Sequence, residues 1–350
     1  MKTELLEGPA VGFYLEGDRL FTADQRLLPG ELRYGEITGF DDACQAVLSL
    51  SVRGAPAIAM VCSHALFLEL KKIAAHLSPS DSATQILPDL KRLADGFLKT
   101  RPTAVNLANA MSLLLEASGR ETTVGGVLRA VRETSDLIRQ TDQKICADLG
   151  SSASELIGQG AKILTHCNTG ALATAGIGTA IGAFYTAQAQ GKNITVYATE
   201  TRPLLQGARF TSWELDRAGI RTILLTDSMA AHAMQRGLID LVMLGADRIV
   251  RNGDTANKIG TLSLAVLASH FRIPFYVVAP STTLDPFTEE GKDIHIEERN
   301  PDEVRMFAGA RSAPPEIPVL NPAFDVTPAS LITAIITEKG IHRPPYNFSL

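Results

Sequence analysis

Residues Lys162–Thr199 read KILTHCNTGALATAGIGTAIGAFYTAQAQGKNITVYAT. Two β-rich runs, KILTH and NITVYAT, frame a stretch of Gly, Ala and Thr with apolar residues at helical spacing. That order predicts a strand, a turn, a helix and a second strand. The pattern recurs downstream in RTILLT, LVMLGA and PFYVVA, each followed by a turn and a predicted helix. Alternation of this kind is the sequence form of repeated βαβ units, so an α/β fold is expected, with a mostly parallel sheet covered by helices on both faces. Ligands of such sheets bind outside the carboxyl ends of the strands.

Upstream the pattern differs. Residues 10–38 hold short alternating segments such as GFYLEG and GELRYGEITG, separated by Gly, Pro and Asp, which predict a small antiparallel sheet. From Asp41 to about Gly158 the apolar residues recur at helical spacing, as in AIAMVCSHALFLELKKIAAHL, and Pro102 occupies a first-turn position. The stretch EASGRETTVGG breaks that pattern. We therefore expect an N-terminal domain of short strands and helices over 1–120 and a Rossmann-like domain over 121–350.

The 350 residues are 45% hydrophobic and 20% charged, values that suit a globular chain with a large core. A formal charge of −5 and the lack of a Lys/Arg cluster argue against a nucleic-acid partner. Gly170–Ala189 carries no charge over a bilayer-spanning length, but its Gly, Ala and Thr content predicts a buried helix against a sheet, not a membrane span. The start, MKTELLEGPAV, lacks the pattern of a signal peptide, so cytoplasmic residence is expected. Cys44, Cys62, Cys146 and Cys167 are widely spaced and offer no metal-ligand pattern, so no metal site is expected.

The chemistry begins at HCNTG. Cys167 is expected at a strand's carboxyl end just before a helix amino terminus, where N–H groups favour a thiolate able to take a proton or attack carbon. A small buried hydrophobe is the bland alternative. His166 beside it either tunes the thiol or faces away. Gly176, Gly178 and Gly182 fall in the predicted helix and only Gly170 in the turn, so the glycines suit close packing and not a dinucleotide fingerprint.

A second cluster is LVMLGADRIVRNGDTANKIGT, residues 241–261. Its apolar strand runs into Asp247, where desolvation would hold the carboxyl protonated, fit to donate a proton to a substrate oxygen. Asp254 in NGDT reads as a turn cap. Asn257 and Lys258 are expected to open a helix, where N–H groups and an ammonium suit an anion. In SLSVRGAPAIAM, Arg53 precedes Gly54, Ala55 and Pro56 at a helix entry that lets a ligand approach the backbone, and Arg101 in KTRPTAVN repeats the scheme. In ATETRPLLQGARFTSWEL, Glu200, Arg202, Gln206 and Arg209 crowd one turn, with Pro203 at a first helical position; Arg209 could serve only to pair with Glu200.

Taken in order, RGAPAIA, HCNTGALAT, ETRPLLQGAR, GADRIVRNGDTANKIGT and PFYVVAP resemble the methylthioribose-1-phosphate isomerase family over essentially the whole chain. That superfamily includes regulatory subunits of a translation-initiation nucleotide-exchange factor and ribose-1,5-bisphosphate isomerases. The resemblance implies an aldose–ketose isomerase of methionine salvage, without metal or organic cofactor, acting on a small sugar phosphate as a homodimer. It implies Cys167 as base or transition-state stabiliser and Asp247 as proton donor. It further implies Arg53, Gly54, Ala55, Arg101, Gln206, Asn257 and Lys258 as substrate-binding residues. The alternatives are an isomerase of ribose 1,5-bisphosphate or 5-deoxyribose 1-phosphate, and a non-catalytic subunit that binds a sugar phosphate or nucleotide.

Overall fold

A computed structural model describes residues 11–101, 104–307 and 309–349. The stretch before Val11 and Pro102, both interpreted above, lie outside these. The described chain forms two compact units: 11–145 with Ala171–Gly178, and Cys146–Gly170 with 179–349. The helix Val124–Ser154 contributes to both units, and the sequence break near residue 120 falls in the turn before it.

The first unit opens with the antiparallel strands β1 (Phe13–Glu16), β2 (Arg19–Ala23) and β3 (Tyr34–Ile37), in spatial order β1-β2-β3. Pairing of Leu20 with Ile37 turns both into the core, while the exposed Arg19 pairs with Glu36 across the outer face. Helices Phe40–Leu48, Ala55–Ile73, Leu87–Thr100 and Val105–Ser118 follow, as the periodicity predicts. The helix Ala55–Ile73 is apolar nearly all round and correspondingly buried from Ala57 to Phe67, the mark of a central core helix. It starts after Gly54, whose φ of 91° is left-handed and whose α-carbon faces Ala173 so closely that a β-carbon would lie 2.6 Å away. Only glycine meets both demands.

The second unit carries the parallel sheet. Its strands are β4 (Lys162–Thr165), β5 (Thr195–Thr199), β6 (Arg221–Leu225), β7 (Leu241–Leu244), β8 (Arg248–Val250), β9 (Thr255–Lys258), β10 (Phe275–Val278) and β11 (Leu284–Asp285). The short hairpin β12 (Met306–Phe307) and β13 (Ala310–Arg311) comes next, then β14 (Phe324–Thr327), β15 (Ala334–Thr337) and β16 (Gly340–His342). The main sheet runs β16-β15-β10-β7-β4-β5-β6, parallel except for β16 at one edge. Strands β7, β10 and β15 are buried throughout, which is why LVML, FYVV and AIIT read as continuous apolar runs without alternation.

Three expectations need correction. The segment after Gly170 does not go straight into a helix: Leu172–Thr179 is irregular, Gly178 has a φ of 94°, and the helix covers Ala180–Ala189. Gly176 and Gly178 therefore belong to a loop, and only Gly182 is helical. The loop instead packs within the first unit, where Leu172 O accepts from the Gln25 amide at 2.9 Å and Ala173 O from the Ala57 N–H at 3.1 Å. Pro203 lies in a turn, and the helical backbone begins with Gln206. Nor does β7 lead to a helix at Asn257. It leads to the hairpin β8–β9, which forms a second sheet in order β11-β8-β9-β14. Asp254 ties down this hairpin, as its turn position suggests: its carboxylate accepts from the N–H groups of Ala329 and Gly291 and from the Asn252 side chain. Among the described residues no helix is long and apolar enough to cross a membrane.

Candidate active site

The sheet reverses direction between β4 and β7. From β4 the chain builds outward through β5 and β6, then returns to lay β7 on the other side of β4 and proceeds to β10 and β15. Such a switch in strand order is where α/β sheets open the crevice that binds ligands. Cys167 follows β4 and Asp247 follows β7. Their loops touch: Gly245 packs against Thr169, leaving no room for a β-carbon.

Cys167 is half-buried with a φ of 62°, a left-handed conformation that non-glycine residues seldom adopt and that clusters at functional sites. Both of its backbone polar groups are held. The N–H donates to Thr201 Oγ1 at 2.9 Å, and the carbonyl accepts from Thr211 Oγ1 at 2.5 Å. Next along, the buried Asn168 amide donates to the buried Glu214 carboxylate at 2.8 Å, which also accepts from the Tyr185 hydroxyl. Burial, then the neighbouring Glu214, pushes the Tyr185 phenol well up, so it stays a donor. The helix dipole expected to act on Cys167 is not in place, because the helix begins only at Ala180. What distinguishes this thiol is an imposed backbone conformation in a hydrogen-bonded loop.

Asp247 starts the β8–β9 hairpin, its N–H donating to Ala256 O at 3.0 Å. The residue is exposed, so the burial expected from the LVML strand does not extend to it: the chain turns there into the hairpin. Asn257 and Lys258 end β9 instead of opening a helix. Asn257 is buried, with its amide on Thr261 Oγ1 at 3.0 Å, and Thr261 in turn donates to Lys258 O. The Lys258 ammonium donates to Ala323 O at 3.0 Å and lies 4.6 Å from the centre of the Phe324 ring, which leaves further N–H bonds for an anion. The helix Thr261–Phe271 is capped by Asp325, whose oxygens accept from the N–H groups of Gly260 and Leu262.

Gln206 comes from the β5 end. It is 5% exposed, and its Oε1 is buried without a hydrogen-bond partner, an acceptor suited to a ligand hydroxyl. A π-helical turn, Gly207–Thr211, follows, with Gly207 so close to Thr199 O that no side chain fits. Arg209 stacks 4.8 Å from the Phe210 ring. Arg202 clamps the 304–306 segment through the carbonyls of Val304 and Met306. The structure thus brings Cys167, Asp247, Gln206, Asn257 and Lys258 to the strand-end side of the second unit. Arg53, Gly54 and Ala55 stand at the amino end of the helix Ala55–Ile73, and Arg101 follows the helix Leu87–Thr100, all in the first unit. The sequence reading missed Thr201, Thr211 and Asp227. Asp227 takes the N–H groups of Thr201 and Arg202, and only the density of Thr in ATETR and RFT hints at such a network. Among the described residues no cluster of His, Cys, Asp and Glu is arranged to hold a metal ion.

The profile of the initiation factor 2 subunit family matches residues 51–344. A methylthioribose-1-phosphate isomerase from Dehalococcoides mccartyi is 48% identical over 326 residues, covering 93% of this chain and 96% of its own. Among solved structures, 5-methylthioribose 1-phosphate isomerase from Pyrococcus horikoshii OT3 superposes with a TM-score of 0.89 at 36% identity, covering 99% of this chain and 96% of its own. A structure from A. fulgidus, described as the delta subunit of translation initiation factor eIF-2B, gives 0.86 at 39% identity, with 96% of each chain covered.

Proposed function

This chain belongs to the initiation factor 2 subunit family, and within that family we infer that it is an aldose–ketose isomerase converting 5-methylthioribose 1-phosphate into 5-methylthioribulose 1-phosphate in methionine salvage. The observation that carries the reading is the meeting of the Cys167 and Asp247 loops where the sheet reverses, in a chain so close to isomerases throughout its length.

The substrate sets the chemical problem. Its anomeric oxygen carries phosphate, so the ring cannot open to a free aldehyde. The bond from the first carbon to the ring oxygen must break with the ester in place. A hydrogen must then pass from the second carbon to the first as the second hydroxyl becomes a carbonyl. Ring opening needs a proton on the ring oxygen, and we assign that donation to Asp247. Cys167 acts at the first two carbons, as base or by stabilising the transition state. With Asp247 exposed in the protein itself, the bound sugar supplies the exclusion of water that sharpens proton transfer. Gln206 would accept from a sugar hydroxyl, and Asn257 and Lys258 would bind the polar end of the substrate. On the family resemblance, Arg53, Gly54, Ala55 and Arg101 of the first unit are also proposed to bind substrate, with guanidinium groups suited to phosphate. We further propose that the chain is cytoplasmic and forms a homodimer, and sedimentation of the purified chain tests the dimer.

A panel of pentose 1-phosphates differing only at the fifth carbon tests the assignment. Turnover greatest with the methylthio compound supports it, and preference for ribose 1,5-bisphosphate or 5-deoxyribose 1-phosphate replaces the substrate. The A. fulgidus structure favours a second reading, a regulatory subunit, and absence of ketose from every panel member would select it.

A further inference from the structure

His166, 2% exposed, joins the loop of Cys167 to the strand end of Asn257 and Lys258. Its Nε2 is 2.9 Å from the carbonyl oxygen of Ile259, which only accepts, so Nε2 carries the proton. Nδ1 is therefore the acceptor, 2.6 Å from Thr199 Oγ1. Thr199 Oγ1 lies 3.5 Å from Thr201 Oγ1, the group that receives the Cys167 N–H. On the opposite side Gly260, with a φ of 106°, lets the chain pass so near the imidazole that a β-carbon would be 3.0 Å from Cε1. Burial lowers the pKa of the ring, in keeping with the neutral tautomer that both contacts require.

We propose that His166 is a positioning residue with two separable duties. Through Nδ1, Thr199 and Thr201 it holds Cys167 in its left-handed conformation; through Nε2 and Ile259 it fixes Asn257 and Lys258 for binding the sugar phosphate. The proposal rests on the isomerase reading above. Both ring nitrogens are committed to these contacts, so the histidine acts on the thiol through the backbone that carries it.

Two substitutions separate the duties. In His166→Asn the shorter amide can accept from Thr199 but does not reach Ile259, whereas in His166→Gln the amide can reach Ile259 at the cost of the Thr199 contact. The purified full chain is assayed with 5-methylthioribose 1-phosphate. His166→Asn is expected to raise KM roughly tenfold with kcat within about threefold, and His166→Gln to lower kcat roughly tenfold with KM within about threefold. Thr199→Val, which deletes the shorter Nδ1 contact from its other partner with little change of shape and leaves only Thr201 Oγ1 at 3.5 Å, should repeat the His166→Gln pattern. Parameters that move together in both histidine variants, or do not move, overturn the proposal. If those variants do not fold, an unchanged kcat in Thr199→Val overturns it. If the wild-type chain shows no turnover, the isomerase reading fails, and the alkylation rate of Cys167 by iodoacetamide then decides. His166→Gln and Thr199→Val should alter that rate at least about threefold and His166→Asn should not, a pattern whose absence contradicts the proposal.

Discussion

Gly245 and Thr169 approach so closely that a β-carbon on Gly245 would lie 2.6 Å from Thr169 Cγ2. The glycine is thus a steric requirement, since it lets the loop after β7, which leads to Asp247, come against the loop after β4, which carries Cys167. Gly245→Ala inserts a methyl group against a stiff β-branched side chain. We expect a loss of about 1–3 kcal/mol of stability and a lower kcat, measured by denaturant titration and initial rates. Wild-type values for both would show that the close contact is not required.

Cys167 is held at a φ of 62°, a conformation that costs an ordinary L-residue on the order of 1–2 kcal/mol and glycine little. Cys167→Gly should therefore melt no lower than the wild type while losing turnover. Cys167→Ser keeps the strain and the shape, so it should fold with unchanged stability and turn over at least about 100-fold more slowly. A Cys167→Gly chain that melts well below wild type would mean the loop does not store strain there.

His64 and His166 are both lowered from the ordinary value of 6.5, in each case chiefly by burial. Unfolding frees them to take up protons that the folded chain refuses. Above pH 6.5 both states are neutral and nothing is lost. As the pH falls from 6.5 toward the folded values, the unfolded chain binds more protons, and stability drops by up to about 1.4 kcal/mol per pH unit for each histidine. Denaturant titrations at pH 7.5 and 5.5 should show this decline, reduced in His64→Gln. A flat profile in that window would mean that the imidazoles are protonated in the folded chain.

Much of the fold can be read in the sequence because its strongest signals are local. LVML and FYVV are buried throughout in a parallel sheet, so each is an uninterrupted apolar run, and KILT and TVYAT are buried after their first residue, with Thr as the polar interruption. The helix Ala55–Ile73 announces itself by an apolar run too long for a strand and by Pro56 in its first turn. Where the reading failed, distant packing overrode local pattern. Ala, Gly and Thr in Leu172–Thr179 look helical, yet the segment stays irregular because its carbonyls bond to Gln25 and Ala57, far away along the chain. TANK reads as a helix start because nothing in it reveals its pairing with FDVT of β14.

The site divides in the same way. Residues at strand ends could be picked out from pattern, since a Cys or Asp directly after an apolar run must lie at a sheet edge. Their environments could not. The helix terminus expected at Cys167 and the burial expected at Asp247 both depended on where the chain went next, and in each case it turned into a loop or hairpin. Thr201 and Thr211, which hold the Cys167 backbone, and Thr199, which meets His166, carry no signal beyond being threonines near strand ends.

Asp247→Asn is the most direct test that Cys167 and Asp247 work on one bound sugar phosphate. The substitution keeps the size of an exposed side chain and removes its proton-donating acid. Turnover of 5-methylthioribose 1-phosphate by the purified variant, with substrate binding measured alongside by calorimetry, should fall at least about 100-fold while affinity stays within a few-fold. A folded Asp247→Asn chain that turns over within about threefold of wild type would contradict the account.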